Sequence, residues 1–237
     1  CECLFMHGEA PSARKLAGSG ARGRRGQSYS DRRGNMGDDG DTATCYSKKQ
    51  LQNEDGNVIV SDDSQRVWIN EFHYRNPGEN QPFVEVIGPK GQDASDYDLL
   101  VYQGRNGAVH NTIPLSGNFD GTGTEWGFVV ADLTSPDIRK GKQGGDGIAL
   151  VRRSDSKCMQ LLSYTDVAGV DRSFKAKEGI CNGFVAQPIG VFEERGTPLG
   201  HSLQMQGTGN EPSAFVWSLP MPATKGEVNG QQILLSP

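Results

Sequence analysis

The chain has 237 residues, of which 35% are hydrophobic and 22% charged, with a formal net charge of -5. The 32 glycines are about twice the usual share, and with 12 prolines they call for many turns. No apolar run nears the roughly 18–20 residues of a membrane span, and coiled coil, collagen and helical bundle are excluded.

Residues 1–50 carry nine basic and six acidic side chains, whereas residues 51–237 carry fifteen and twenty-three. The basic groups Arg14, Lys15, Arg22, Arg24, Arg25, Arg32 and Arg33 are separated by Gly, Ser and Ala. A segment this polar buries too little to offset the entropy of ordering it, so residues 1–62 are expected to be a disordered tail and linker. Such a tail reads as a linker before it reads as a nucleic-acid arm, because no aromatics are interleaved for base stacking. The acidic body has the wrong field for phosphate. The chain begins at Cys1 rather than Met, so a longer product, with a signal peptide or a linked catalytic domain outside these residues, is expected.

From residue 66 onward apolar stretches recur with turn residues between them. Strands are expected at 67–74, 83–87, 97–102, 108–115, 126–133, 147–151, 158–164, 202–206 and 214–217. In the first, Trp68, Phe72 and Tyr74 fall on one face, Glu71 and His73 on the other. Asn106-Gly107 between the third and fourth favours positive φ and a hairpin connection. Residues 165–200 are irregular and are expected to be a long loop with a short strand or turn of helix. Short strands at this spacing predict an all-β sandwich or barrel.

Several runs follow one another in a recognisable order. They include Ile69-Asn70-Glu71-Phe72-His73-Tyr74, Phe83-Val84-Glu85-Val86, Thr112-Ile113-Pro114-Leu115-Ser116-Gly117 and Gly145-Asp146-Gly147-Ile148-Ala149-Leu150-Val151. Later come Thr197-Pro198-Leu199-Gly200-His201-Ser202-Leu203-Gln204, Phe215-Val216-Trp217 and Thr224-Lys225-Gly226-Glu227-Val228-Asn229. Over about residues 66–230 the chain resembles the lamin-tail-like module, in the version at the front of large secreted bacterial endonucleases of the endonuclease/exonuclease/phosphatase group. The resemblance implies an immunoglobulin-like β-sandwich over residues 63–232, with 233–237 as a C-terminal tail. It also implies an accessory role beside a nuclease, phosphoesterase or adhesion domain. Arg75 stands where that version usually has an acidic residue, and Lys225 where a Pro usually precedes the Gly.

No H-E-x-x-H, zinc-finger spacing, P-loop or G-x-S-x-G elbow occurs, and neither catalytic residues nor a cofactor are expected. Glu71, His73 and Glu85 are the polar trio best placed for a divalent cation. The sequence favours a cross-strand polar or ion pair on the solvent face of the sheet. Asp146 in a Gly-rich turn is a Ca²⁺-ligand candidate, with a plain turn before a strand preferred. Asp93, Asp96 and Asp98 read as solvated turn carboxylates. Trp68, Trp126 and Trp217 read as core residues before a sugar-stacking platform. Cys158 and Cys181 are the two cysteines of the body: either a bridge, worth roughly 3 kcal/mol in the chain-entropy model, or two reduced buried thiols. The expected function is a non-catalytic binding or targeting module of a larger extracellular protein, its partner an unidentified protein or surface ligand. The alternatives are an accessory fragment of a secreted nuclease or phosphoesterase and a Ca²⁺- or carbohydrate-binding adhesion domain.

Overall fold

A computed structural model of the chain describes residues 66–75, 81–134, 136–141, 145–167 and 172–237, and the backbone of two short strands, β1 (Leu51–Gln52) and β2 (Val58–Ile59). All lie in the compact unit Gln50–Pro237. Apart from β1 and β2, the expected tail 1–62 lies outside the described residues.

The fold is an all-β sandwich. The strands are β3 (Trp68–His73), β4 (Phe83–Pro89), β5 (Tyr97–Gln103), β6 (Ala108–Pro114), β7 (Trp126–Asp132), β8 (Asp146–Arg152) and β9 (Lys157–Tyr164). There follow β10 (Gln187–Pro188), β11 (His201–Gly209), β12 (Phe215–Trp217), β13 (Met221–Pro222) and β14 (Gln232–Leu234). One sheet runs β10-β9-β8-β5-β6, the other β12-β11-β3-β4-β7, with β13 and β14 also paired to β11. The order β3-β4-β7 against β9-β8-β5-β6 is the A-B-E and G-F-C-C′ arrangement of immunoglobulin-like domains, to which β11 adds a strand beside A. Among the described residues the only helix is the short 3-10 turn Pro212–Ala214, and no helix is long and apolar enough to cross a membrane.

The nine expected strands are all present, within a few residues of the expected ends. Period-2 alternation divides their side chains between layers. Ile69, Phe72, Val84, Val86, Leu99, Ile148, Leu150, Leu162 and Leu203 form the core between the sheets. The intervening residues Leu100, Tyr102, Ala149, Val151 and Leu161 form a second cluster with Phe174, Ala176, Cys181 and Ala186 of the long loop. Residues 172–186 therefore cover the outer face of the first sheet, and Cys158–Cys181 joins the cover to β9 as a disulfide. Gly107 sits in the β5–β6 turn at φ +72, and its amide closes the turn onto the Gln103 carbonyl at 2.9 Å. A Cβ there would lie 2.2 Å from the Lys175 carbonyl oxygen, so the cover packs against a position only glycine fits.

One expected face assignment is corrected. β3 pairs Ile69 with Val86 but Glu71 with Glu85, so Asn70 is an extra residue in a β-bulge. The bulge shifts the alternation by one. Phe72 and Tyr74 enter the inter-sheet core, whereas Trp68 turns outward to a third cluster with Trp126, Phe128, Met205 and Phe215. The C-terminal residues complete this cluster, and Trp126 Nε1 donates to the Leu235 carbonyl at 2.7 Å. β14 thus crosses the expected boundary at 232/233, pairing Gln232, Ile233 and Leu234 with β11.

Candidate functional site

The bulge at Asn70 also places the polar side chains of β3. After it, Glu71 and His73 face away from the core, and Glu71 lies directly across from Glu85 on β4. Neither glutamate reaches solvent; both are fully buried, as are Asn70, Ser202 and Gln204 beside them. The expectation of a polar pair on the solvent face is therefore corrected: residues 222–232 close over this face and bury it.

Each carboxylate is held by donors of the covering segment. Glu71 Oε1 accepts from the Thr224 amide at 3.0 Å and from the Ser202 hydroxyl, and its Oε2 lies 2.7 Å from the Thr224 hydroxyl. Glu85 Oε2 accepts from the Gly226 amide at 2.7 Å, and its Oε1 from Asn70 Nδ2 at 3.0 Å. Gly226 has φ +78, the left-handed conformation that turns its amide inward. Further along, Asn229 Nδ2 donates to the Met205 carbonyl at 2.9 Å and Gln232 Nε2 to Asn70 Oδ1 at 2.7 Å. Lys225 points outward, its Nζ 2.6 Å from Asp132 and 4.3 Å above the Phe83 ring centroid. Burial pushes the Glu71 carboxyl above its ordinary range despite the bonds from Ser202 and Thr224. Burial and then the facing Glu71 charge push Glu85 up to about 8.

His73 does not join the two glutamates. Its Nδ1 lies 2.7 Å from Glu193 Oε1, a contact that places a proton on Nδ1. Glu193 Oε2 accepts from the Tyr74 and Arg75 amides at 3.1 and 2.9 Å. Tyr74 in turn accepts from the Glu193 amide and donates to the Thr165 carbonyl, each at 2.7 Å. This knot ties the end of β3 to residue 193 of the loop before β11. Arg75, where the resemblance leads one to look for an acid, pairs with Asp166 at 3.3 Å.

Asp146 opens β8 and is buried. Its Oδ1 accepts from Arg139 Nε at 2.8 Å and its Oδ2 from the Gly141 amide at 2.9 Å, so it anchors the loop before its own strand. Burial raises its carboxyl, opposed by the Arg139 bond. Asp93 accepts from the Ser95 amide at 2.8 Å, Asp96 from the Ser154 hydroxyl at 2.6 Å, and Asp98 lies 3.7 Å from Arg153. Asp93 holds its own turn, whereas Asp96 and Asp98 both reach the β8–β9 turn, and Asp98, buried on β5, is not the solvated turn carboxylate expected. Among the described residues no group of three or more His, Cys, Asp or Glu side chains converges as a metal site. Trp68 and Trp126 are buried against each other, ring centroids 4.9 Å apart, and Trp217 packs half-buried on Phe72 at 5.1 Å.

The sequence nominated Glu71, His73 and Glu85 but missed their partners, Asn70, Glu193, Ser202, Thr224 and Gly226. The run Thr224-Lys225-Gly226 carries a local turn signal, since the Glu227 amide closes onto the Thr224 carbonyl at 2.8 Å. Nothing in that run tells which strands it covers. No family model, curated protein or solved structure matches this chain.

Proposed function

We propose that the chain is a non-catalytic recognition module of a larger, extracellular protein, built as the lamin-tail-like resemblance implies. The observation that carries this reading is the employment of its chemistry-bearing side chains. Glu71, Glu85, His73 and Asp146 each bind backbone amides, hydroxyls or side chains of their own fold, a scaffold role rather than one open to substrate. A rigid sandwich with its outer faces covered leaves recognition to edges and turns. The ribbon β12-β11-β14 offers such a surface. Phe215 and Trp217 turn inward, while Val216 and Ile233 stand 70% and 61% exposed on the outward side. The Cys158–Cys181 bridge supports an oxidising compartment.

The test is turnover. The purified, folded chain is incubated with Mg²⁺, Mn²⁺ and Ca²⁺ in turn and offered DNA, RNA and phosphomonoesters. No hydrolysis above buffer is expected. Hydrolysis that co-elutes with the folded chain and is lost in Glu85→Gln or His73→Ala overturns the reading.

A further inference from the structure

Two features meet on the outer face of β3 and β4. One is a pair of fully buried carboxylates in direct cross-strand register. Two negative charges at that spacing in a poorly solvated site repel strongly, and such pairs ionise in two separated steps. The other is the segment Thr224–Asn229, which is both the cover of the pair and the main supplier of its hydrogen bonds.

We propose that Thr224–Asn229 is a proton-held strap: one proton on the Glu71–Glu85 pair keeps it seated on the β3–β4 face, and loss of that proton releases it. In the seated state one carboxylate is charged and one neutral. Glu71 has the fuller set of donors, with two hydroxyls and an amide, and takes the charge; Glu85 keeps the proton. Removing that proton leaves two facing charges under the strap. Lifting the strap lets water screen both.

Among the surrounding charged groups only Lys225 relieves the second charge, and it is the weakest of the influences on Glu85. From the strap, Lys225 is the nearest cation, and its Nζ is engaged outward by Asp132 of β7 at 2.6 Å. Glu227, also on the strap, adds negative charge. His73, two residues along β3, is paired with Glu193. From β11 the pair meets only the uncharged Ser202 and Gln204. The direction follows from the raised Glu85 carboxyl: the folded state holds a proton that the unfolded chain has already released, so the strap is stable at low and neutral pH and loosens as pH rises through about 8.

Trypsin reads the strap directly, since Lys225-Gly226 is a cleavage site within it and the exposed turn at Arg195-Gly196 serves as an internal reference. Cleavage at Lys225 relative to Arg195 should rise at least about tenfold from about pH 6.5 to about pH 9.5 in the wild type. Glu85→Gln, which mimics the neutral acid, should make the ratio independent of pH. An infrared band of a protonated carboxyl in the wild type at neutral pH, vanishing in step with the rise in cleavage, is the companion measurement and needs no variant. A ratio that stays flat in the wild type overturns the proposal. So does an equal rise in Glu85→Gln, the lack of a protonated carboxyl at neutral pH, or cleavage that begins only when the β5–β8 amides also exchange.

Discussion

The bridge between Cys158 and Cys181 makes the sharpest quantitative prediction. It spans 23 positions and fastens residues 172–186 over Leu100, Tyr102, Ala149, Val151 and Leu161. In the chain-entropy model a closed loop of that length restricts the unfolded state by about 3.4 kcal/mol at 25 °C. The perturbation is the double substitution Cys158→Ala and Cys181→Ala, with alanine chosen because Cys181 is fully buried among apolar side chains. Reversible urea unfolding of oxidised wild type and variant should differ by roughly 3 kcal/mol at nearly equal slope, or roughly 6–12 °C in Tm for a domain of this size. Hydrogen exchange should localise the loss. The cover keeps its own short hairpin, in which the Ala176 amide donates to Phe184 and the Ala186 amide to Phe174, yet its amides should exchange well before those of β5 and β8. A variant within about 1 kcal/mol of the wild type refutes the reasoning, because the apolar contacts alone would then hold the cover. Peptide mapping without reductant that finds Cys158 and Cys181 unlinked refutes it at the first step.

Three further outcomes are expected. Gly107→Ala should destabilise by about 2 kcal/mol or more in chemical denaturation, because the position combines φ +72 with a carbonyl 2.2 Å from the new methyl; a loss below about 0.5 kcal/mol contradicts the packing there. Trp126→Phe removes the bond to the Leu235 carbonyl and part of the contact with Trp68; a loss of roughly 1–3 kcal/mol is expected, with faster carboxypeptidase trimming of the last residues. Global stability should fall with rising pH between about 4.5 and about 8, because Glu85 binds its proton more tightly folded than unfolded; Glu85→Gln should flatten that slope, and an unchanged slope in urea titrations counts against the buried neutral acid.

The inner framework was legible because it depends on local pattern. The apolar, β-branched and aromatic runs Phe83–Ile87 and Tyr97–Tyr102, bounded by turn residues, mark strands whatever they pair with, and Asn106-Gly107 marks its turn by glycine alone; only Gly107, not Asn106, takes positive φ. The bulge at Asn70 was not legible. It is set by how β3 must register with β4 and β11 at once, and it alone decides that Trp68 leaves the core and Glu71 meets Glu85. The covers escaped for a different reason. β13 and β14 have two and three residues, too few for a periodic signal, and the partners Glu71–Thr224 and His73–Glu193 are separated by 153 and 120 positions. The candidate acids stood out by type, but whether they face water, a ligand or their own chain is a tertiary fact.

The two outer faces of the sandwich are covered in chemically opposite ways, and the attachment of each cover follows from the face beneath it. Under residues 172–186 the face is apolar: Leu100, Tyr102, Ala149, Val151 and Leu161. Exposing it costs roughly 25 cal/mol for each Å² of apolar surface returned to water, so that cover has no second comfortable position, and it is fixed by a covalent bond. Under Thr224–Asn229 and the Pro222 carbonyl just before it the face carries Glu71, Glu85, Ser202 and Gln204. Glu71 and Glu85 take bonds from Thr224 and Gly226 of the strap when covered and from water when not, so the free-energy gap between the two states is set mainly by the desolvation of the carboxylates. That is a term one proton can reverse. Because the strap leads directly into β14, its position also bears on Ile233 and thus on the outward apolar side of the ribbon. A partner that docks on that side and favours the seated ribbon should therefore raise the pH at which the strap lets go, by the reciprocity that links any two equilibria sharing one conformational change.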